Sequence, residues 1–492
     1  MGIDPGYWTS IRGDAVTYLR LSENLYEHGT YSNDEKPPYT PSIYRLPGMA
    51  IIYLPLRIFF SKEGAVNAFL ILQVFALAVS KFAAGRILYH KTNSAVAYVF
   101  FILLVSFNYP LSRFQNRFLP ECFSTAFLTL SIWCLFHYAR NLKMNFLFFS
   151  GLFYALALFL RPYLGVFIPL YFYYIYKADR KPINFSTILN RFTLFLSVAL
   201  VIETCWVVRN FLSLKKFEPF DGTMFCTMNV PPYCEIRKLI AGFGGDYTYW
   251  TKNSHGRWFA KYLVNDSTEI PVTIFPNHLF TEGLTVDSLI LARELGFKPF
   301  NPQTMDSAVY LANVEHSRQI LVRFRKALKK NHPLRYYLEG RLRYLFKGIF
   351  PVGGGVYHLN VPLPRLDLIK TFFHVFLNSG TILSIGVGFL SSVIIFFYYL
   401  KKPDKDWLVL SLFCILSYML TYIYFVSVEV RQTWQVSLLL PMFTSFVFTT
   451  DIILRHKVLR LCILTLIIIV AVIVSLLQSM PALSQIVMSK LV

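Results

Sequence analysis

Ala65–Leu88 reads AVNAFLILQVFALAVSKFAAGRIL, twenty-four residues whose only charges are Lys81 and Arg86. A run of this length and polarity matches the ~20 residues an α-helix needs to cross the hydrocarbon of a bilayer. Nine more apolar stretches follow the same pattern: Ser94–Tyr109, Glu121–Tyr138, Phe146–Leu160, Leu164–Tyr176, Phe192–Val208, Leu368–Leu400, Trp407–Phe425, Val436–Thr450 and Leu459–Leu477. Ten spans are therefore expected, the shorter ones tilted or half-buried. The fold class is an all-α polytopic membrane protein.

The composition agrees. The 492 residues are 55% apolar, 17% aromatic and 15% charged, against about a quarter charged in soluble domains. A net charge of +21 would suggest nucleic acid in a soluble chain. Here the basic residues sit at Arg86/Lys91, Arg140/Lys143, Lys177/Arg180/Lys181, Lys401/Lys402/Lys405 and Arg455/Lys457/Arg460, in every second connection. Cytoplasmic loops of membrane proteins collect Lys and Arg in this way, so no nucleic-acid partner is expected. The basic loops are assigned to the cytoplasm and the remaining connections to the outer side.

This orientation divides the chain. Residues 1–62 form an outer first loop with juxtamembrane helices, and 63–208 hold about six spans. Residues 209–366 form an outer insert, 367–480 hold about four spans, and 481–492 are a short outer tail. The insert is expected to be mixed α/β or mainly helical, with a helical stretch at Met305–Lys330. Arg318–Phe350 interleaves Arg and Lys with Leu, Tyr and Phe at three- and four-residue spacing. A basic amphipathic helix on a membrane surface has this pattern, and so does a solvated helix packed on the rest of the insert. Among the seven cysteines, Cys122, Cys134, Cys205, Cys414 and Cys462 lie in or beside apolar stretches, where Cys acts as a small hydrophobe. Cys226 and Cys234 fall in the outer insert, where a disulfide is permitted. The sequence has no CxxC, HExxH, GxGxxG or P-loop pattern, so a metal finger, a dinucleotide site and ATP-driven transport lack support.

The candidate chemistry lies among charges at the expected outer boundary, since ionisable groups near apolar spans are expensive and default to functional candidates. Asp14 opens a short amphipathic helix with Tyr18, Leu21 and Leu25 on one face, closed by Gly29. From spacing alone Asp14 is an N-cap, which Asp favours. Tyr44-Arg45-Leu46-Pro47-Gly48 precedes an apolar helix over Met49–Phe60, with Pro47 suited to its first turn. Glu121 starts a span. Arg161-Pro162, Arg209-Asn210 and Glu429-Val430-Arg431 flank other spans. Arginines there snorkel to headgroups, or converge on one cavity and neutralise a phosphate through their planar forks.

Taken in order, these residues resemble the GT-C glycosyltransferases, specifically the branch of protein O-mannosyltransferases and aminoarabinose transferases (glycosyltransferase family 39-like). The matching residues are Asp14, Tyr18, Ser22-Glu23-Asn24-Leu25, Gly29, Arg45-Leu46-Pro47-Gly48, Leu119-Pro120-Glu121, Leu160-Arg161-Pro162, Trp206-Val207-Val208-Arg209-Asn210 and Glu429-Val430-Arg431. Asn331-His332-Pro333-Leu334-Arg335-Tyr336-Tyr337 is similar to the family's insert. The resemblance covers nearly the whole chain. It departs from the family pattern at Ala15, where relatives carry a second acid, at Cys205 in place of Pro, and at Gln432 in place of Tyr. Family members also have a membrane helix ahead of the first loop, for which Met1–Arg12 is too short and polar, so about ten or eleven spans are expected with the family's first one missing.

The resemblance implies an integral transferase in the plasma membrane (the inner membrane of a bacterium), its site on the extracytoplasmic side. It would move a sugar from a polyprenyl-phosphate donor to a protein, lipid or glycan acceptor. Asp14 would act as base or acceptor positioner, and Glu121 is a secondary carboxylate. Arg45, Arg161, Arg209 and Arg431 would hold the donor phosphate, Arg431 foremost, with Tyr18 and Glu429 positioning the acceptor or loop. No cofactor is expected, and a divalent metal is not indicated. The runner-up is a transporter or flippase of lipid-linked sugars, or a non-catalytic component of surface-polysaccharide assembly.

Overall fold

The computed structural model describes residues 11, 13–43, 45–106, 108, 114–178, 184–215, 217, 219, 232–248, 254–264, 270–298, 305–349, 375, 379–403, 405–424, 435–450 and 457–479. Among them the chain is helical, and no strand forms beyond an isolated bridge between Thr281 and Leu284. The described part of the insert is accordingly helical rather than mixed α/β. The chain makes two compact units: Met1–Asp221 with Ile349–Ser417 and Arg431–Val492, and Gly222–Gly348 with Tyr418–Val430.

In the first unit α1 (Asp14–His28) and α2 (Gly48–Phe59) precede α3 (Lys62–Thr92), α4 (Ala95–Ser106), α5 (Glu121–Asn141), α6 (Met144–Leu160), α7 (Ile168–Lys177) and α8 (Phe185–Leu214). Among the described residues five helices are long and apolar enough to cross a membrane: α3, α5, α8, Ser379–Tyr399 and Asp406–Ile423. Several other expected spans are shorter. Among the described residues, the stretch expected at Ser94–Tyr109 is helical over α4, and that at Val436–Thr450 over Leu440–Thr449. Leu164–Tyr176 is split into a 3-10 turn, Pro162–Phe167, and α7, because Pro162 and Pro169 each suit the first turn of a new helical segment and not the interior of a continuing one. The long helices expose their apolar side chains. On α3, Ile71 is 71% and Phe75 65% exposed, and on α8 Phe185 is 74% and Val201 63% exposed. Such contiguous apolar surface is what a helix presents to lipid and what a water-facing surface avoids.

Close packing joins α5, α6 and α8 through small residues. Ser131 donates to the Ser150 carbonyl at 2.6 Å, Ser150 donates back to the Ser131 carbonyl at 2.9 Å, and Tyr171 Oη lies 2.8 Å from Ser131 Oγ. Gly151 lets α8 approach so closely that a Cβ there would sit 2.0 Å from the Phe195 carbonyl oxygen. Small residues drive helix association where no hydrophobic effect operates between the helices. Gly151→Ala is therefore expected to lower the detergent-solubilised protein's stability by about 1–3 kcal/mol or more. Gly165→Ala, whose new Cβ meets nothing nearer than 3.9 Å, is the control. Equal melting temperatures for the two variants would show that α6 and α8 do not pack this way.

The second unit packs α9 (Tyr233–Gly242), α10 (Val286–Phe297) and α11 (Ser307–Asn331) around Leu239, Ile240, Trp258, Phe275, Leu289, Leu321 and Phe324. Glu235 reaches Arg325 at 2.9 Å, and Ser317 donates to the Ala292 carbonyl at 2.6 Å. The stretch Arg318–Phe350 divides into two parts. Its first half belongs to α11 and buries Ile320, Leu321, Phe324 and Leu328 in this core. Its second half, a π-turn at Arg335–Glu339 and α12 (Gly340–Ile349), leaves Leu334, Leu338, Leu342 and Phe346 between 44% and 76% exposed beside Arg335 and Arg343. Cys234 is in a disulfide, and Cys226 lies outside the described residues.

Candidate functional site

Helix α1 begins with Gly13 at φ +60° as its cap residue and no side-chain cap. Asp14 is thus not the N-cap that its spacing suggests but the first residue inside the helix, where a carboxylate still complements the helix dipole. Its side chain turns to Arg45, whose Nη2 lies 3.2 Å from Asp14 Oδ1. The Arg45 guanidinium also stands 4.8 Å from the centre of the Tyr18 ring. Asp14, Tyr18 and Arg45, thirty-one residues apart at the extremes, form one partly exposed cluster. Gly29 ends α1 at φ +66° and donates its N–H to the Leu25 carbonyl, while the Thr30 N–H donates to the Asn24 carbonyl, a left-handed closure that glycine adopts without strain.

Pro47 caps α2 rather than occupying its first turn, and α2 runs over Gly48–Phe59. Gly48 is pressed against the end of α6, since a Cβ there would meet the Phe159 carbonyl oxygen at 2.5 Å. The Arg45–Gly48 turn is thereby fixed beside Leu160 and Arg161. Arg161 Nη2 contacts Glu121 Oε1 at 2.5 Å, and Glu121 is fully buried. The two residues stand at the start of α5 and the end of α6, which an antiparallel hairpin brings to the same level. Ala15, Tyr18, Met49, Leu119 and Leu160 share one hydrophobic cluster with Phe69 and Phe123. The chain neighbours of Asp14, Glu121 and Arg161 thus pack in a single core.

Arg209 does something else. Its guanidinium donates to the Ser42 carbonyl at 2.8 Å, the Tyr31 carbonyl at 3.0 Å and Asn210 Oδ1 at 2.9 Å. It stacks 5.1 Å from the Trp206 ring. Arg209 therefore fastens the loop after α1 to the end of α8. Asn24 holds the same loop from the other side, donating to the Ser32 and Asp34 carbonyls, each at 2.9 Å. Within it the Thr40 hydroxyl and N–H, at 2.5 and 2.6 Å, and Ser32 hold the Asp34 carboxyl below its ordinary pKa. Arg209→Leu is expected to raise the rate of limited proteolysis within residues 30–43 several-fold. Unchanged cleavage would mean the clamp carries no tension. Glu429 and Arg431 lie outside the described residues.

Two acids were not among the candidate site residues. Glu23 is 4% exposed in its side chain and accepts from Tyr53 Oη at 2.5 Å and Arg57 Nε at 3.1 Å, with Lys62 at 4.0 Å. Its burial was hidden because its partners lie thirty and more residues on, in and just after α2. Glu203 lies inside α8, and both of its carboxylate oxygens are buried without a hydrogen-bond partner among the described residues. The signal for it was a lone acid in an otherwise apolar span, which defaults to a functional candidate. Among the described residues, no group of three His, Cys, Asp or Glu is arranged to hold a metal ion. No protein-family model, curated protein or solved structure matches the chain.

Proposed function

We propose that the chain is a membrane glycosyltransferase that moves a sugar from a polyprenyl-phosphate donor to an acceptor on the outer face. The supporting observation is the pairing of Asp14 with Arg45 over the Tyr18 ring, set in the same core as the Glu121–Arg161 pair. A sugar phosphoester carries its own leaving group, so the reaction needs a base and a phosphate-neutralising cation. Asp14 takes the proton of the acceptor hydroxyl as that oxygen bonds to the anomeric carbon. The bond from that carbon to the phosphate oxygen breaks, and Arg45 stabilises the departing polyprenyl phosphate. Glu121 and Arg161, mutually neutralised and buried, hold the framework, a narrower role than that of second carboxylate and phosphate contact. Arg209 acts by fastening the loop after α1. The test is mass spectrometry of surface glycans and polyprenyl-phosphate sugars in cells with and without the protein. The donor should accumulate and one glycan should be lost when the protein is absent. Identical profiles would refute the proposal.

Glu203 favours the runner-up. Carboxylates inside spans commonly line transport paths, and a flippase needs no base. It would lose translocation in Glu203→Gln and keep it in Asp14→Asn, the reverse of what the transferase requires.

A further inference from the structure

The first unit has a second polar cluster, at the ends of α5 and α7 opposite Glu121 and Arg161. Along α5 it lies about 30 Å from Glu121 at 1.5 Å per residue. Here a cavity of ≈ 380 Å³ is lined by Lys91, Arg140, Lys177, Asp406, Trp133 and Phe136. Lys91 ends α3, Arg140 ends α5, Lys177 ends α7, and Asp406 begins the helix Asp406–Ile423. Asp406 accepts from Lys177 at 2.6 Å and from Lys91, whose ammonium lies 5.3 Å from the centre of the Phe136 ring. Arg140 has no carboxylate partner among the described residues.

A basic residue in the last turn of a helix complements the helix dipole, which accounts for one cation on each helix separately. It does not account for three cations from three helices facing one cavity with a single carboxylate among the described lining residues. His90 and His137 also line it, with ring centres 6.5 Å apart, and add donors rather than negative charge. The floor is aromatic. An anion with several acceptor oxygens and an apolar body fits this lining, because Arg and Lys bind phosphate through charge-assisted hydrogen bonds and aromatic rings at a membrane boundary pack on acyl and glycerol groups. The cavity lies at the ends of three helices long enough to span a bilayer, the level at which lipid phosphates reside.

We propose that this cavity binds the phosphate group of an anionic membrane lipid, separately from the Asp14 cluster. The full chain would be placed in nanodiscs of phosphatidylcholine with graded phosphatidic acid, and bound lipid counted by native mass spectrometry. Phosphatidic acid should be retained in preference to phosphatidylcholine. Arg140→Gln should weaken its retention about tenfold, a typical loss for one charge-assisted contact, with no change in melting temperature since Arg140 pairs with no acid among the described residues. A triple variant that also removes the carboxylate left without its lysines, Lys91→Gln/Lys177→Gln/Asp406→Asn, should remove the preference altogether. Wild-type retention in both variants would overturn the site. Displacement of the lipid by inorganic phosphate at equal concentration would overturn the lipid assignment, because a soluble anion would then be the ligand.

Discussion

Asp14→Asn is expected to lower sugar transfer by about 10²–10⁴-fold, the usual contribution of a positioned base, while donor binding persists. The substitution keeps the size of the side chain and its hydrogen bond to Arg45, which stands 3.2 Å away, but removes the proton acceptor. Only partly exposed, the group does not support the fold in the way a buried ion does, so the variant should accumulate normally in membranes. Single-turnover assays in proteoliposomes loaded with the polyprenyl-phosphate sugar separate binding from chemistry. Transfer within a few-fold of wild type would remove Asp14 from the mechanism. Arg45→Lys sharpens the reading, because a point charge replaces a fork that bridges the carboxylate and the Tyr18 face. It should weaken donor affinity more than it slows the chemical step.

The second large effect is on stability. Arg161→Leu leaves Glu121, which is fully buried, without its guanidinium at 2.5 Å. Breaking a buried pair from one side costs about 3–5 kcal/mol, whereas replacing both partners with apolar groups is often neutral. Arg161→Leu is therefore expected to unfold early or fail to accumulate, and Glu121→Leu/Arg161→Leu to recover most of the loss. Thermal unfolding in a fixed detergent reads both. The double variant also tests function. If it is stable and active, the pair belongs to the framework. If it is stable but inactive, Arg161 contacts the donor as the sequence resemblance implies.

Much of the local structure was legible because its causes are local. The closure of α1 at Gly29, the start of α5 at Glu121 and the helix expected at Met305–Lys330, found at Ser307–Asn331, follow from glycine conformation, proline placement and apolar spacing. Tyr18 and Leu21 are buried as their face requires, although Leu25 is only half-buried. The polar side of α1 was less legible. Ser22, Glu23 and Asn24 are buried as well, since α1 is covered by α2 on one side and by its own following loop on the other. Ion pairs escaped for a related reason. Glu121 and Arg161 are forty residues apart, and which carboxylate meets which arginine depends on helix register that hydropathy does not encode. Arg209 shows the limit most plainly. A sequence motif marks it as a phosphate contact, while its donors meet the carbonyls of Tyr31 and Ser42.

The hairpin of α5 and α6 has a bearing on how the chain is built. Two apolar helices in lipid slide past one another at little expense, since one greasy register is nearly as good as the next. Here Glu121 meets Arg161 at one end, and the reciprocal Ser131–Ser150 bonds lie partway down. A slip of one turn, about 5.4 Å along the axis, would separate both sets at once and strand two charges in a medium that solvates neither. The alignment of the hairpin is thus fixed by residues within and bounding its own two helices.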